Sequence, residues 1–243
     1  MLLKFATLGR LNAVCRALLS TGLNVDFLEK LVNAGSLKEL SLFLRESSYA
    51  PFVEGDSKES LLKAVDDYFL SLIRKLAGIY SVGMLEEFFL AEDRGDFLLK
   101  MLESEELKDF ALIYSDFLDI VTLVRFRLIE GLPPENVSPF LIARGKLRQF
   151  LVGLLESSNL EEFSSKLPFA RNSRSFGEFR KELYRFHVVS LRKLLLGMPF
   201  RPAVSFVVLR LKEIEKMNLI AVIEGLAGNF DKEQIEEMII DTS

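Results

Sequence analysis

An internal repeat is the feature of this sequence that most restricts its fold. Residues 212–240 have a diluted copy about a hundred residues earlier in the chain. In both copies the apolar spacing predicts a helix, a turn and a second short helix. The second helix begins after Pro133 and Pro134 in the earlier copy and after Asp231 in the later one, where Asp-x-x-Gln is typical of a capping box. The gapless alignment pairs Ile120 with Asn218, Val121 with Leu219, Val124 with Val222, Leu128 with Leu226, Glu135 with Glu233 and Val137 with Ile235.

The material between the helix pairs also repeats, and in the same order. An N-cap residue followed by Glu three positions later occurs as Ser36 with Glu39 and again as Asn159 with Glu162. This pattern predicts the same helix start twice. Farther along, the segment 68–76 (YFLSLIRKL) matches 186–194 (FHVVSLRKL), each late in a long amphipathic helix.

The predicted architecture is therefore all-α and pseudo-repeated, with at least two thirds of the residues in helices. A third, looser relative of the helix pair opens the chain at 11–32, with its turn at 21–24. Three helix pairs are joined by two related connecting modules. We predict a first helical module with the opening helix pair at 1–142 and a second at 143–243. No alternation of period two predicts a strand, and the apolar run 204–209 (VSFVVL) continues without a breaker into a helical segment.

Hydropathy indicates that the chain does not span a membrane, and the cysteine content indicates the compartment in which it folds. No uncharged apolar run approaches the roughly 20 residues that cross a bilayer. Phe5, Leu8, Leu11, Cys15, Leu18 and Leu19 fall on one helical stripe, so we expect the N-terminal segment to be part of the folded protein. The single cysteine permits no internal disulfide and fits a reducing compartment.

Catalytic chemistry finds little support in the sequence. The one histidine, His187, has apolar helical neighbours, so we interpret it as a structural or surface residue. One His and one Cys cannot build a zinc site. The carboxylates of Asp66 and Asp67 lack a third acid at helical spacing, and we interpret them as a solvated helix face. A phosphate-binding Gly-x-x-x-x-Gly-Lys loop is missing, so we expect no ATP hydrolysis, no metal and no cofactor.

Charge is distributed unevenly along the chain. Residues 54–119 contain 16 acidic and 7 basic side chains, whereas 166–212 contain 11 basic side chains against Glu178 and Glu182. One interpretation is a basic surface that meets an acidic partner. The alternatives are charges that are solvated or attract the acidic half, and nucleic-acid binding, which an overall pI near 5.4 disfavours. The candidate partner-binding residues are Arg171, Arg174, Arg185, Arg192 and Arg201.

The order of parts resembles the C subunit of V/A-type rotary ATPases, called the d subunit in eukaryotes. The similarity is strongest at 211–240, where Lys-Glu-x-Glu-x-x-Asn-Leu precedes a Gly-containing turn and an acidic Glu-x-Ile helix. Asn218 and Leu219 are its most recognisable point. The Pro-Pro-Glu turn at 133–135 and the opening helix from Asn12 to Leu19 also resemble the family pattern.

The resemblance implies a non-catalytic central-stalk subunit, shaped like a funnel or cup, on the cytoplasmic side of the membrane. Family members link the central shaft to the membrane rotor ring and transmit torque for proton or sodium transport. The chain is shorter than expected for this family, whose members carry three such modules, and only two connecting modules can be traced in it. A soluble helical adaptor or scaffold unrelated to rotary ATPases is the main alternative, and an unknown helical enzyme is a further one.

Overall fold

The described part of the chain is all-α, as the sequence predicts. The structure is a computed structural model that describes residues 2–21, 25–79, 83–171, 173–197 and 201–240, and no β-strand occurs within them. Helices account for 75% of the residues. The α-helices are α1 (Leu2–Ser20), α2 (Val25–Val32), α3 (Leu37–Arg45), α4 (Lys58–Ile79), α5 (Gly83–Leu90), α6 (Gly95–Leu102), α7 (Lys108–Leu123), α8 (Pro134–Val137), α9 (Arg148–Leu155), α10 (Leu160–Ser165), α11 (Phe176–Gly197), α12 (Ala203–Ala227) and α13 (Lys232–Met238).

Three shorter helical segments lie between these elements. Ala50–Phe52 and Ser138–Phe140 form 3-10 turns, and Val124–Ile129 continues α7 as a π-helical segment. The turn predicted at 21–24 falls mostly on residues 22–24, which lie outside the described part of the chain.

Two compact units divide the chain in space. The first unit comprises residues 1–89 and 204–243, and the second comprises residues 90–203. The units reflect proximity, whereas the modules predicted at 1–142 and 143–243 reflect repetition along the chain. The module boundary therefore stays a prediction.

The two predicted helix starts have the same hydrogen bonds. At α3 the backbone N–H of Glu39 donates to Ser36 Oγ, and the Glu39 carboxylate accepts from the N–H of Gly35. At α10 the N–H of Glu162 donates to Asn159 Oδ1, and the Glu162 carboxylate accepts from the N–H of Ser158. Each start therefore satisfies two backbone donors near a helix N-terminus.

The long helices that follow also begin alike. Ser57 Oγ accepts from the N–H of Ser60 before α4, and Ser175 Oγ accepts from the N–H of Glu178 before α11. Both helices are 22 residues long. The cap, the length and the order of elements agree between the two connecting modules, while their superposition stays a prediction.

The opening helix places its apolar stripe in the core of the first unit. Leu8, Leu11, Cys15 and Leu18 are buried, and Leu19 lies at the exposed edge of the stripe. The side chain of Phe5 lies outside the described part. Burial raises the pKa of the Cys15 thiol to about 12, so the thiol stays protonated and acts as a small apolar group.

The apolar run 204–209, which the sequence predicted to be helical, lies in α12 and makes long-range contacts in the core of the first unit. Phe206 of α12 packs on Phe88 and Phe89, with ring centroids 5.8 and 6.1 Å apart. The paired aspartates of α4 form ion pairs: Asp66 with Lys216 at 2.6 Å and Asp67 with Lys63 at 2.9 Å. Ion pairs occupy both carboxylates, which agrees with the helix-face interpretation.

The core of the second unit is an aromatic cluster between α7 and α11. His187 is buried, stacks on Phe117 at a centroid distance of 4.4 Å and meets Tyr114 edge-on at 5.7 Å. The Arg94 guanidinium donates to the Tyr114 hydroxyl at 2.6 Å. His187 is thus a packed structural residue.

Candidate partner-binding surface

The five predicted arginines are all exposed on the second unit. Arg171 and Arg174 lie in the segment before α11, Arg185 and Arg192 lie on α11, and Arg201 precedes α12. Arg185 and Arg192 are seven residues apart and share a helix face. The structure brings Arg171 and Arg174 together at a groove of about 610 Å³ that Glu178 and Glu182 also line. The two arginines of the groove therefore face a mixed surface.

Two of these arginines form ion pairs with neighbouring acidic side chains. Arg201 lies 3.7 Å from Asp109, and Arg185 lies 2.8 Å from Glu182 one helical turn earlier. Such surface pairs contribute little to stability, about 0–1 kcal/mol each. Attraction to the acidic half, the second interpretation of the charge pattern, therefore applies to Arg201.

Other basic residues of the same segment have internal structural roles. Arg210 and Lys212 are buried on α12, where they pair with Glu213 at 2.6 Å and Glu215 at 2.8 Å. Lys166 donates to the carbonyl oxygen of Gly153 and to Glu162, and this lysine is the main reason that the pKa of the Glu162 carboxyl falls to about 2. Charge counting along the sequence did not separate these internally paired cations from the five exposed arginines.

An apolar groove of about 400 Å³ also opens on the second unit, between the end of α7 with its π-helical segment and the first half of α11. Val121, Ile129 and Phe176 form its rims and are 37%, 65% and 45% exposed. Phe179 and Tyr184 line its floor and are buried. Sequence reasoning did not identify this groove, since its residues come from two segments, 121–129 and 176–184, that are far apart along the chain.

Two buried aspartates on α7 hold the segment that follows α8. Asp119 accepts from the backbone N–H groups of Ile142 and Ala143 at 2.7 and 2.9 Å. One turn earlier, Asp116 accepts from the N–H groups of Lys146 and Leu147 at 3.0 and 2.7 Å. We call Asp116 and Asp119 the aspartate clamp, and residues 142–147 the strap.

The strap approaches α7 closely. Ala143 has a φ of 53°, a left-handed conformation that only a few per cent of non-glycine residues adopt. A Cβ on Gly145 would overlap the Asp116 carboxylate, so a larger residue at this position would displace that carboxylate. Burial raises the pKa of the Asp119 carboxyl to about 6, although the hydrogen bonds from Ile142 and Ala143 oppose the shift. Burial also raises the pKa of Asp116.

The second helix pair is held by an amide at a related place. Asn218 of α12 is buried, its Oδ1 accepts from the N–H of Ile240 at 2.8 Å, and its Nδ2 donates to the carbonyl oxygen of Ile240 at 2.8 Å. We call this the asparagine clamp. Asp231 and Gln234 form the predicted capping box at the start of α13.

The gapless alignment is wrong by one residue in the first helix of the pair. Asp119 lies 23 residues before its partner Ile142, whereas Asn218 lies 22 residues before Ile240. Burial shows the same shift: Val121, which the alignment pairs with Leu219, is 37% exposed, whereas Leu219 is fully buried. The π-helical segment accommodates the extra residue, because π geometry places more residues in one turn.

Downstream of the π-helical segment the alignment agrees with the local structure. Gly131 has a φ of 69° and Asn229 a φ of 55°, so a left-handed residue ends the first helix at the same aligned position. Pro134 begins α8 and Lys232 begins α13, which are again aligned positions. These two aligned positions are consistent with the predicted pairing of turns and second helices, and the superposition of the pairs stays a prediction.

These features define an all-helical protein whose candidate sites are open surfaces. Among the described residues, no group of His, Cys, Asp and Glu side chains is arranged to hold a metal ion. Over that same part of the chain, no helix is both long enough and apolar enough to cross a bilayer.

Comparison with known proteins agrees with the resemblance seen in the sequence. The pattern of the ATP synthase (C/AC39) subunit family matches residues 84–238, which is more than half of the chain. The C subunit of the A-type ATP synthase of Methanocaldococcus jannaschii is 27% identical over 180 residues, covering 73% of this chain and 43% of the relative. The chain thus spans less than half the length of this curated relative. The chain belongs to the ATP synthase (C/AC39) subunit family.

Proposed function

We propose that this chain is a non-catalytic central-stalk subunit of a V/A-type ATPase or ATP synthase. It acts as a socket between the central shaft and the membrane rotor ring, on the cytoplasmic side of the membrane. Through it, torque passes to proton or sodium transport. The observation that carries the proposal is the family match over 84–238, which includes the whole second unit and both helices α12 and α13 of the C-terminal pair.

Stiffness is the physical requirement of such a part, and the packing of both units supports the proposal. Close-packed interiors transmit strain. The aspartate and asparagine clamps join the residues that follow a short helix to the long helix before it, with six hydrogen bonds between side chain and backbone. A loop anchored in this way moves with its helix under load.

Association with the other motor subunits tests the proposal. Purified chain is mixed separately with the shaft subunits and with the rotor ring of the same motor, and binding is measured by interferometry or sedimentation. A socket is expected to bind both, and to form a complex that contains both. A chain that binds neither, and purifies instead with unrelated proteins, is a soluble adaptor.

The predicted arginines contribute to this association through their summed field. The triple variant Arg171→Glu, Arg174→Glu and Arg201→Glu is expected to slow binding to an acidic partner and to reduce its salt dependence. Arg16→Glu, Lys38→Glu and Arg45→Glu on the first unit form a matched control with the same change in net charge, since these side chains are also exposed. Equal binding rates and salt slopes for the two triple variants would show that these three arginines face solvent or the acidic half of the chain and not a partner.

A further inference from the structure

The apolar groove on the second unit has the character of a docking site for a protein segment. Ile129 and Phe176 project from its two rims and remain 65% and 45% exposed. Contiguous apolar surface bounded by polar groups is typical of interaction sites, because leaving it in water is unfavourable. A small molecule in the groove would leave both rims in water, whereas a protein segment would cover floor and rims together.

The floor of the groove is preformed. Tyr184 packs edge-on against Phe117 at a centroid distance of 4.9 Å, and Phe179 packs against Phe163 at 5.7 Å. Within the π-helical segment, Arg127 donates to the carbonyl oxygens of Leu155 and Leu132 at 2.7 and 3.1 Å. Side chains held in this way lose little freedom when a partner binds, which favours affinity.

The π-helical segment gives one rim its shape. At the aligned place in the second helix pair, α12 continues as a regular α-helix. The extra residue of the first pair produces the π turn, and Ile129 at its end is exposed. π-helical turns in proteins occur often at functional sites.

The charge of the groove indicates what its occupant carries. The charged side chains that line it, among the described residues, are Arg125 and Arg180. The guanidinium of Arg180 lies 5.8 Å from the centre of the Tyr184 ring, and Arg125 is paired with Glu130 at 3.1 Å. Since both charges are positive, an acidic side chain in the occupant is complementary to the groove.

We propose that this groove docks an apolar helical segment of another subunit of the motor, in which an acidic side chain lies beside the apolar face. This mode places the apolar side chains of one helix face on the floor and the acid between the two arginines. The inference rests on the proposed function, since it places one of the partner contacts of the assembled complex. None of the five predicted arginines lines this groove, so it is a separate contact site.

Matched substitutions on the second unit test the groove. Ile129→Glu puts a charge on the rim of the groove. Val152→Glu is the control: it puts the same charge on a side chain that lies outside the groove and is 68% exposed. Binding to purified shaft subunits and to the purified ring is measured for each variant, with thermal melts to show that both remain folded. We expect Ile129→Glu to weaken one of the two associations at least about tenfold and Val152→Glu to leave both unchanged.

Two further variants test the charge of the occupant. Arg180→Glu is expected to weaken the same association, and Glu130→Gln to strengthen it about two- to threefold, because Arg125 is then released from its ion pair. No gain from Glu130→Gln, together with no loss from Arg180→Glu, overturns the acidic character of the occupant.

The outcomes separate the groove from the function. If the wild-type chain binds neither shaft nor ring, the proposed function fails. If it binds and Ile129→Glu binds as tightly as Val152→Glu, the function stands and the docking inference is wrong. If oleate binds the isolated chain and Ile129→Glu removes only that binding, the groove takes a small amphiphile and the inference is likewise wrong.

Discussion

The two helix pairs solve one problem, the anchoring of the chain after a short helix, with different side chains. After α8 the strap presents the N–H groups of two successive residues, and the acceptor is Asp119, which as a carboxylate has acceptors alone. After α13 a single residue, Ile240, presents both its N–H and its carbonyl group, and the partner is Asn218, which has an acceptor and a donor. The backbone that must be held therefore selects the acid in one pair and the amide in the other.

Replacing the amide of the asparagine clamp by a carboxylate is expected to lower the free energy of unfolding more than any other change proposed for the two pairs. In Asn218→Asp a buried carboxylate faces the carbonyl oxygen of Ile240, and we expect a loss of roughly 3–5 kcal/mol in the free energy of unfolding at neutral pH. Burial raises the folded pKa of the new acid, so the loss shrinks as the pH falls below that pKa. Chemical denaturation at several pH values measures both effects.

Asn218→Ala is the control for this exchange. It removes two hydrogen bonds without burying a charge and is expected to cost about 1–3 kcal/mol. If Asn218→Asp is the milder of the two variants at neutral pH, the donor role of the amide is wrong.

One glycine in each helix pair can be replaced by alanine to compare the pairs, and the expected loss of stability is intermediate. Gly145→Ala displaces the Asp116 carboxylate from two N–H groups, and we expect a loss of about 2–3 kcal/mol. Gly225→Ala in α12 meets only the side chain of Ile235, and alanine favours the helix by up to about 1 kcal/mol, so its net cost is smaller. Thermal or urea unfolding of both variants measures the difference, and equal losses would contradict the special role of the strap.

Converting the acid of the first pair to the amide of the second gives the smallest effect at neutral pH. Asp119→Asn keeps one acceptor but turns an NH2 group toward the N–H of Ala143, so we expect a loss of about 1 kcal/mol at pH 7.5. The pKa of Asp119 rises from an ordinary 3.8 to about 6 on folding, so the folded state holds the proton more tightly. The wild type therefore loses stability from this group as the pH rises from 4 toward 7, and the variant does not.

The measurement is the difference in unfolding free energy between the wild type and Asp119→Asn at pH 4.5 and 7.5. Asp116 is present in both proteins, so its own titration largely cancels. We expect the wild type to exceed the variant by more at pH 4.5 than at pH 7.5. Parallel pH profiles would show that Asp119 is not held in a poorly solvated site.

Helix starts and helix order were the predictable part of this fold. The N-cap roles of Ser36, Asn159 and Asp231 can be predicted from local spacing, because capping depends on residues three positions apart. The apolar neighbours of His187 predicted a structural or surface residue, and the structure decides between the two by burying it among aromatic rings. Such features are set by near neighbours along the chain.

The clamps and the groove depend on contacts that local patterns do not encode. Asp116 and Asp119 are buried acids one turn apart on an apolar helix, and this was the one signal of the strap in the sequence. The π-helical segment shifted the register by one residue, which no gapless alignment can represent. Among the basic residues, only the structure separates Arg210, buried beside Glu213, from the exposed Arg171.

If this chain couples a shaft to a ring, as proposed, that coupling can be measured directly. Membrane vesicles that contain the motor are stripped of the chain and then resupplied with it, while ATP hydrolysis and ATP-driven ion uptake are recorded together. We expect stripped vesicles to lose ion uptake while the released head still hydrolyses ATP, and the added chain to restore uptake. Ion uptake that persists at the same rate per ATP without the chain would contradict the proposed coupling role.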